Sequence, residues 1–269
     1  MPEIFPTPTK PTRSGRMAGR ILQRRPAYAF ILNLVTMDLN ADVGEGFPWD
    51  EDLMAIVTSG NVCLGGHAGY AELTRFTAIR WREYGRAIGM HPGYPDRDQM
   101  GRRSPLPEAR LSWESEAIDQ TNAFLTVGMR EGRSWRYLKP HGALYHDSAK
   151  DWTEAGQAVQ FMLRESRLPL LGLPGSDHER IAELAKVSFY REGFADRRYR
   201  DDGTLVPRTE PNATIESDDE AAEHAVRLAL SGRFDSLCLH GDKPGCVERA
   251  LAVRAALERE GFTIAPFAP

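Results

Sequence analysis

From about residue 31 onward, short apolar runs alternate with longer amphipathic stretches, and the pair recurs about seven times. Residues 31–39, 61–64, 87–90, 135–139, 168–173, 187–190, 236–239 and 263–266 read as strands. Residues 50–58, 71–84, 107–130, 152–165, 218–231 and 247–260 read as helices, as does a segment from a Ser176 or Asp177 cap to Lys186. In 71–84, Leu73, Phe76, Ile79 and Tyr84 recur at helical spacing, with Arg and Glu between them. Asp202-Gly203 marks a turn in a longer excursion to Pro211, which predicts a small hairpin. Strands that alternate with helices predict a parallel sheet, because each chain reversal needs a crossover. An open dinucleotide-binding sheet would carry a glycine-rich turn after its first strand, and no GxGxxG or GxxxxGK[ST] motif occurs. A closed sheet fits better. The expectation is a seven-stranded (β/α) barrel, a distorted TIM-like α/β fold, formed by residues 37–269 as one catalytic domain.

Residues 1–36 differ from this body. They hold five prolines before any periodic pattern, six basic side chains and one acid. They read as a disordered basic leader, or as an artefact of start assignment with translation beginning at Met37. The other 233 residues hold 28 basic against 37 acidic side chains, which would repel phosphates and argues against nucleic acid. No window approaches 18 consecutive apolar residues, so no membrane helix is expected. Cys63, Cys238 and Cys246 are too few and too scattered for a disulfide framework. A cytoplasmic setting and a small substrate follow as expectations. The cysteines read as packing residues.

Side chains capable of chemistry fall just after the apolar runs. The first run delivers Asp38, Asn40, Asp42 and Glu45. The second delivers His67, the third His91, and the fourth Lys139 and His141. Glu192, Asp196, Arg197 and Arg198 follow the sixth, and His240 and Asp242 the seventh. Parallel strands place all of these on one rim, where barrel active sites are built. Four of the seven histidines share this placement, each beside glycine or proline. His146 could also reach the rim, whereas His178 and His224 lie on predicted helices and read as solvated. Asp42 with His67, His91 or His141 could hold a divalent metal, although no HExxH spacing supports one. Without metal, the same groups suit general acid–base work. Arg102-Arg103 could bind a carboxylate or phosphate, or simply form a solvated loop. No GxSxG nucleophile elbow is present.

These motifs, taken in order, resemble the LamB/YcsF family, the 5-oxoprolinase A subunits. Asp38-Leu39-Asn40-Ala41-Asp42-Val43-Gly44-Glu45-Gly46 is similar to its opening motif. His67-Ala68-Gly69, His91-Pro92-Gly93-Tyr94-Pro95-Asp96, Gly101-Arg102-Arg103, Lys139 to Tyr145, Glu192 to Tyr199 and His240-Gly241-Asp242 are similar to further ones. The resemblance implies a barrel of the glycoside hydrolase/deacetylase type. It implies a hydrolase that opens the lactam of 5-oxo-L-proline to L-glutamate with ATP, together with subunits B and C. On that basis Asp42, His67, His91, Lys139, His141, Asp196 and His240 are the expected catalytic residues. Asn40, Glu45, Tyr94, Arg103, Tyr145, Arg197 and Asp242 are expected to bind substrate or phosphate. ATP binding rests on the resemblance alone, and a partner could supply it. One departure stands out: Tyr70 occupies a position where the family commonly has Asp, which could change the substrate or the activity. Alternatives are a metal-dependent hydrolase or deacetylase of a small amide or acylated sugar, acting without ATP, or a divergent non-catalytic subunit.

Overall fold

A computed structural model describes residues 35–106, 115–116, 118–122, 135–150 and 153–268. The strands are β1 (Thr36–Val43), β2 (Ser59–Cys63), β3 (Ala87–His91), β4 (Tyr137–Leu138), β5 (Leu170–Gly172), β6 (Phe189–Phe194), β7 (Ser236–Leu239) and β8 (Thr263–Ile264). The helices are α1 (Asp50–Ile56), α2 (Ala71–Glu83), α3 (Gly142–Ser148), α4 (Glu154–Ser166), α5 (Asp177–Ala185), α6 (Asp218–Leu230) and α7 (Cys246–Arg259). Strands β1 to β7 pair in parallel in chain order, and β7 returns to β1, so seven strands close into a barrel. The short β8 extends the start of β1 through Thr36 and Met37.

Three helices begin where a hydroxyl satisfies a free backbone N–H. Thr153 caps α4, Ser176 caps α5 and Ser217 caps α6. Such caps contribute about 1 kcal/mol each. Of the helix expected over 107–130, residues 115–116 and 118–122 are helical and the rest lies outside the described residues. The expected leader also lies outside them, apart from Val35 and Thr36. The sequence reading missed α3, which begins directly after His141. The excursion after β6 contains two antiparallel bridges, Arg197 to Thr214 and Tyr199 to Leu205.

The strand register sets the character of the interior. Leu39, Ala41 and Val43 join the apolar layer between strands and helices. The alternating residues Asp38, Asn40 and Asp42 join polar partners on other strands. The rim expectation therefore needs correcting, because these three side chains sit within β1, not after it. Glu192 likewise lies within β6 and is fully buried. β1 and β6 run further than apolar patterning predicted because polar residues point into the barrel and satisfy one another there.

Candidate active site

The inner polar side chains form a ladder from the base of the barrel upward. At the base, Asp38 accepts hydrogen bonds from Thr58 (2.7 Å), Ser59 (2.6 Å) and Ser236. Burial outweighs these bonds and lifts its carboxyl to about 6. One level up, Asn61 donates to Asn40 and Asp42, each at 2.7 Å, and accepts from the Tyr137 hydroxyl at 2.7 Å. Lys139 Nζ reaches Asp42 Oδ1 at 3.1 Å, Asn40 Oδ1 at 3.2 Å, Glu192 Oε1 at 2.8 Å and Cys238 Sγ at 3.1 Å. Cys238 is thus a polar contact of Lys139, and wall packing alone does not describe it. Burial opposes ionisation of both Asp42 and Lys139. His91 and Lys139 nevertheless hold Asp42 well below the usual carboxylate range, and Asp42 and Glu192 hold Lys139 well above the usual amine range.

Above this level, Glu45, His67, His91 and His141 each aim one donor atom at a shared space, all within 4.8 Å of one another. Gly44 and Gly46, both with positive φ, turn the chain so that Glu45 faces inward. Asp50 fixes that turn by accepting from the Gly44 N–H at 2.8 Å. His67 Nε2 lies 3.0 Å from Glu45 Oε1, and its ring stacks on His141 with centroids 3.7 Å apart. Burial disfavours charge on His67, but Cys63 and Glu45 outweigh it and lift the ring to about 10. His141 goes the other way: burial, His67 and His91 hold it well below its ordinary value.

The tautomers of two rings follow from their partners. His91 Nδ1 lies 2.8 Å from the Lys139 carbonyl, and His141 Nε2 lies 2.8 Å from the Met100 carbonyl. Carbonyls only accept, so both nitrogens carry protons. His91 Nε2 and His141 Nδ1 then face each other at 2.9 Å, a distance that calls for a shared proton or a cation beside them. Asp42 adds negative charge, with Oδ1 3.3 Å from His91 Nε2 and Oδ2 3.8 Å from His141 Nδ1. Three imidazoles and a carboxylate, with ring N–H groups fixed on carbonyls, make a suitable donor set for a first-row divalent cation. The 93–101 loop roofs the cluster. A Cβ at Gly93 would lie 2.4 Å from His67 Nδ1, and one at Gly101 would lie 2.7 Å from His67 Cβ.

A second group sits at the ends of β6 and β7. His240 Nδ1 lies 2.9 Å from Asp196 Oδ1, and the His240 N–H donates to Asp196 Oδ2 at 2.9 Å. Burial raises the Asp196 carboxyl, but His240 dominates and holds it far below the usual range. Next in the chain after Gly241, Asp242 pairs with Arg102.

Several expected site residues lie elsewhere. Arg103 turns out to solvent, its side chain 70% exposed, and pairs with Asp96. The Tyr94 hydroxyl donates to Asp147 at 3.1 Å. Tyr145 is buried beside Glu192, and burial with that negative charge pushes its phenol well above its ordinary value. Arg197 is buried and donates to the carbonyls of Val206 and Ala213, so it anchors the excursion after β6. Tyr70 is 59% exposed and does not enter the cluster. His178, expected in solvent, is fully buried: Nδ1 accepts from the Leu173 N–H and Nε2 faces Ser148 Oγ at 2.9 Å. His224 is half-buried. The sequence reading missed Asn61, the Met100 carbonyl and Arg208. Asn61 was hidden inside a strand, where an inward polar residue was the available signal.

Comparison with known proteins agrees with this architecture. The A subunit of 5-oxoprolinase from Streptomyces avermitilis is 42% identical over 251 residues, covering 86% of this chain and 100% of that protein. The A subunit of 5-oxoprolinase from Paracidovorax citrulli is 38% identical over 250 residues, covering 86% and 99%. The crystal structure of the lactam utilization protein from Thermus thermophilus superposes with a TM-score of 0.77 at 32% identity, covering 86% of this chain and 99% of that one. The LamB/YcsF family profile matches residues 37–269, and the chain belongs to that family.

Proposed function

We propose that the chain is the A subunit of a 5-oxoprolinase, which opens the lactam of 5-oxo-L-proline to L-glutamate with ATP, alongside subunits B and C in the cytoplasm. The observation that carries this reading is the buried convergence of His91 Nε2, His141 Nδ1, Glu45 and Asp42 on one space beneath the barrel mouth. The relatives, which are A subunits of 5-oxoprolinases, support the substrate.

Ring opening needs a water stripped of a proton and a ring nitrogen that gains one. His141 is held neutral with a bare Nδ1, so it suits the first task. His240, oriented by Asp196, suits the second. An unactivated amide is a poor electrophile. Transfer of the γ-phosphoryl group of ATP to the lactam oxygen gives an imidate phosphate, with ADP released. Water addition and departure of the protonated nitrogen leave an acyl phosphate, which a second water hydrolyses to the carboxylate and inorganic phosphate. Asp42, kept ionised by Lys139, steadies positive charge on the imidazoles. Glu45, His67, His91 and His141 could instead hold a divalent cation that would supply an activated water, with His141 Nδ1 then a ligand and not the base.

The convergence of Glu45, His67, His91 and His141 on one space favours a second reading, in which the chain hydrolyses a small amide through a metal without ATP. Glutamate release from 5-oxo-L-proline, measured with the full chain and subunits B and C, separates the two. The first reading expects turnover only with ATP. Turnover without ATP that is lost to a chelator would replace it with the second, and no turnover in any condition would defeat both.

A further inference from the structure

Among the arginine pairs around the barrel mouth, one is shared unequally. Arg198 pairs with Glu220, Arg103 with Asp96 and Arg200 with Glu210, each cation matched by its own carboxylate. Arg102 and Arg208 instead converge on the same oxygen, Asp242 Oδ2. Arg102 is in direct contact, and Arg208 Nη1 stands 3.7 Å away, beyond hydrogen-bond reach. Asp242 is 11% exposed, while Arg102 and Arg208 keep 35% and 27% of their side chains open. Asp242 therefore stands between two guanidinium groups, and Arg208 has no carboxylate within hydrogen-bond distance there, although Asp196 feels its charge.

The location matters as much as the charge. Arg102 follows Gly101, whose backbone abuts His67 and His141, and its Cγ lies 3.6 Å from where a Gly142 Cβ would sit. Its guanidinium then crosses to Asp242, two residues beyond His240. The pair spans the space between the imidazole cluster and the Asp196–His240 group. Arg208 reaches the same point from the excursion after β6.

We propose that Arg102 and Arg208 form a carboxylate clamp that selects lactams bearing a ring carboxylate, with Asp242 holding the clamp together until the substrate carboxylate joins or displaces it. Asp242 meets Arg102 through Nη2 and Oδ2 alone, so the guanidinium keeps donors for a second carboxylate. The clamp would present the lactam bond to the cluster and exclude neutral lactams, because an unfilled guanidinium pair gives them no compensation for its desolvation. This inference rests on the lactam-opening reading above and adds the determinant of its specificity.

The test compares kcat/KM for 5-oxo-L-proline and for 2-pyrrolidinone, which lacks the carboxylate. It uses the full chain with subunits B and C, as wild type, Arg102→Gln, Arg208→Gln and Arg208→Lys. The expected result is a wild-type preference for the acid that falls about tenfold or more in Arg208→Gln, mainly through KM, and is partly restored in Arg208→Lys. Arg102→Gln should do the same if it folds. An unchanged preference in both glutamine variants, with wild-type turnover intact, would overturn the clamp and leave the lactam reading standing. A rise confined to the KM for ATP would reassign the arginines to phosphate and overturn it too. No wild-type turnover of either lactam would remove the lactam reading and the clamp with it.

Discussion

His91 Nε2 and His141 Nδ1 face each other at 2.9 Å, although the other nitrogen of each ring already donates its N–H to a backbone carbonyl. Two lone pairs at that distance repel unless a cation lies between or beside them. A shared proton or a metal ion would relieve the repulsion, and Glu45 and Asp42 supply the negative charge that either would need.

This arrangement predicts metal binding. The full chain should take up about one equivalent of zinc or a similar divalent ion, measured by elemental analysis after dialysis, and His141→Ala should lose most of it. Binding should also release protons, because His67 is lifted to about 10 and must become neutral to act as a ligand. Calorimetry in buffers of different ionisation enthalpy reads that release. A chain that stays metal-free at saturating zinc would leave a shared proton as the relief of the contact.

Lys139 offers a stability test. It is buried between Asp42 and Glu192, so removing its charge leaves two carboxylates without compensation. Lys139→Met should destabilise the fold by about 3–5 kcal/mol in denaturant unfolding. Adding Glu192→Gln should recover part of the loss, since one of the stranded charges disappears. A Lys139→Met chain as stable as wild type would mean the two carboxylates take up protons at little cost.

What the sequence made legible follows from where its signals lie. Strand–helix alternation and reactive residues beside Gly and Pro brought out the barrel and the histidines 67, 91 and 141, because turns concentrate glycine and chemistry at the same places. The ladder of Asp38, Asn40, Asn61 and Glu192 was harder to read. A barrel lined with polar side chains breaks the rule that buried strands are continuously apolar, so β1 and β6 read as ending four residues before they do. Arg103 was favoured over Arg102 for anion binding because adjacent arginines look alike in sequence. Only the turn at Met100 and Gly101 decides which of the two points across the mouth. Arg208 lies more than a hundred residues from Arg102, and nothing local signals their convergence.

His178 predicts a pH effect on stability. Burial and nearby His146 lower its ring to about 3, against an ordinary value of 6.5. The unfolded chain therefore binds a proton between those values that the folded chain refuses. The stabilising contribution is complete above about pH 6.5 and is lost as pH falls toward 3, by up to about 1.4 kcal/mol per pH unit. His178→Asn keeps a donor and acceptor near Ser148 and Leu173 without a titrating ring. Its denaturation midpoint should be lower at pH 7 and should fall less steeply between pH 6.5 and 4. Parallel curves for the two proteins would show that His178 takes no part in the acid sensitivity.

Asp196→Asn tests the orientation of His240. The carboxylate accepts from both the His240 ring and its backbone N–H, and this fixes the ring with Nε2 free. An amide of the same shape presents an NH₂ group on one side, so the ring is either left with an unmet N–H or turned into the opposite tautomer. Folding should change little, because size and packing are kept. If His240 donates the proton to the departing nitrogen, kcat should fall by about 100-fold or more with KM nearly unchanged. A loss of activity matched by a loss of thermal stability would instead assign Asp196 to holding the end of β6 against β7, a structural role with no part in proton transfer.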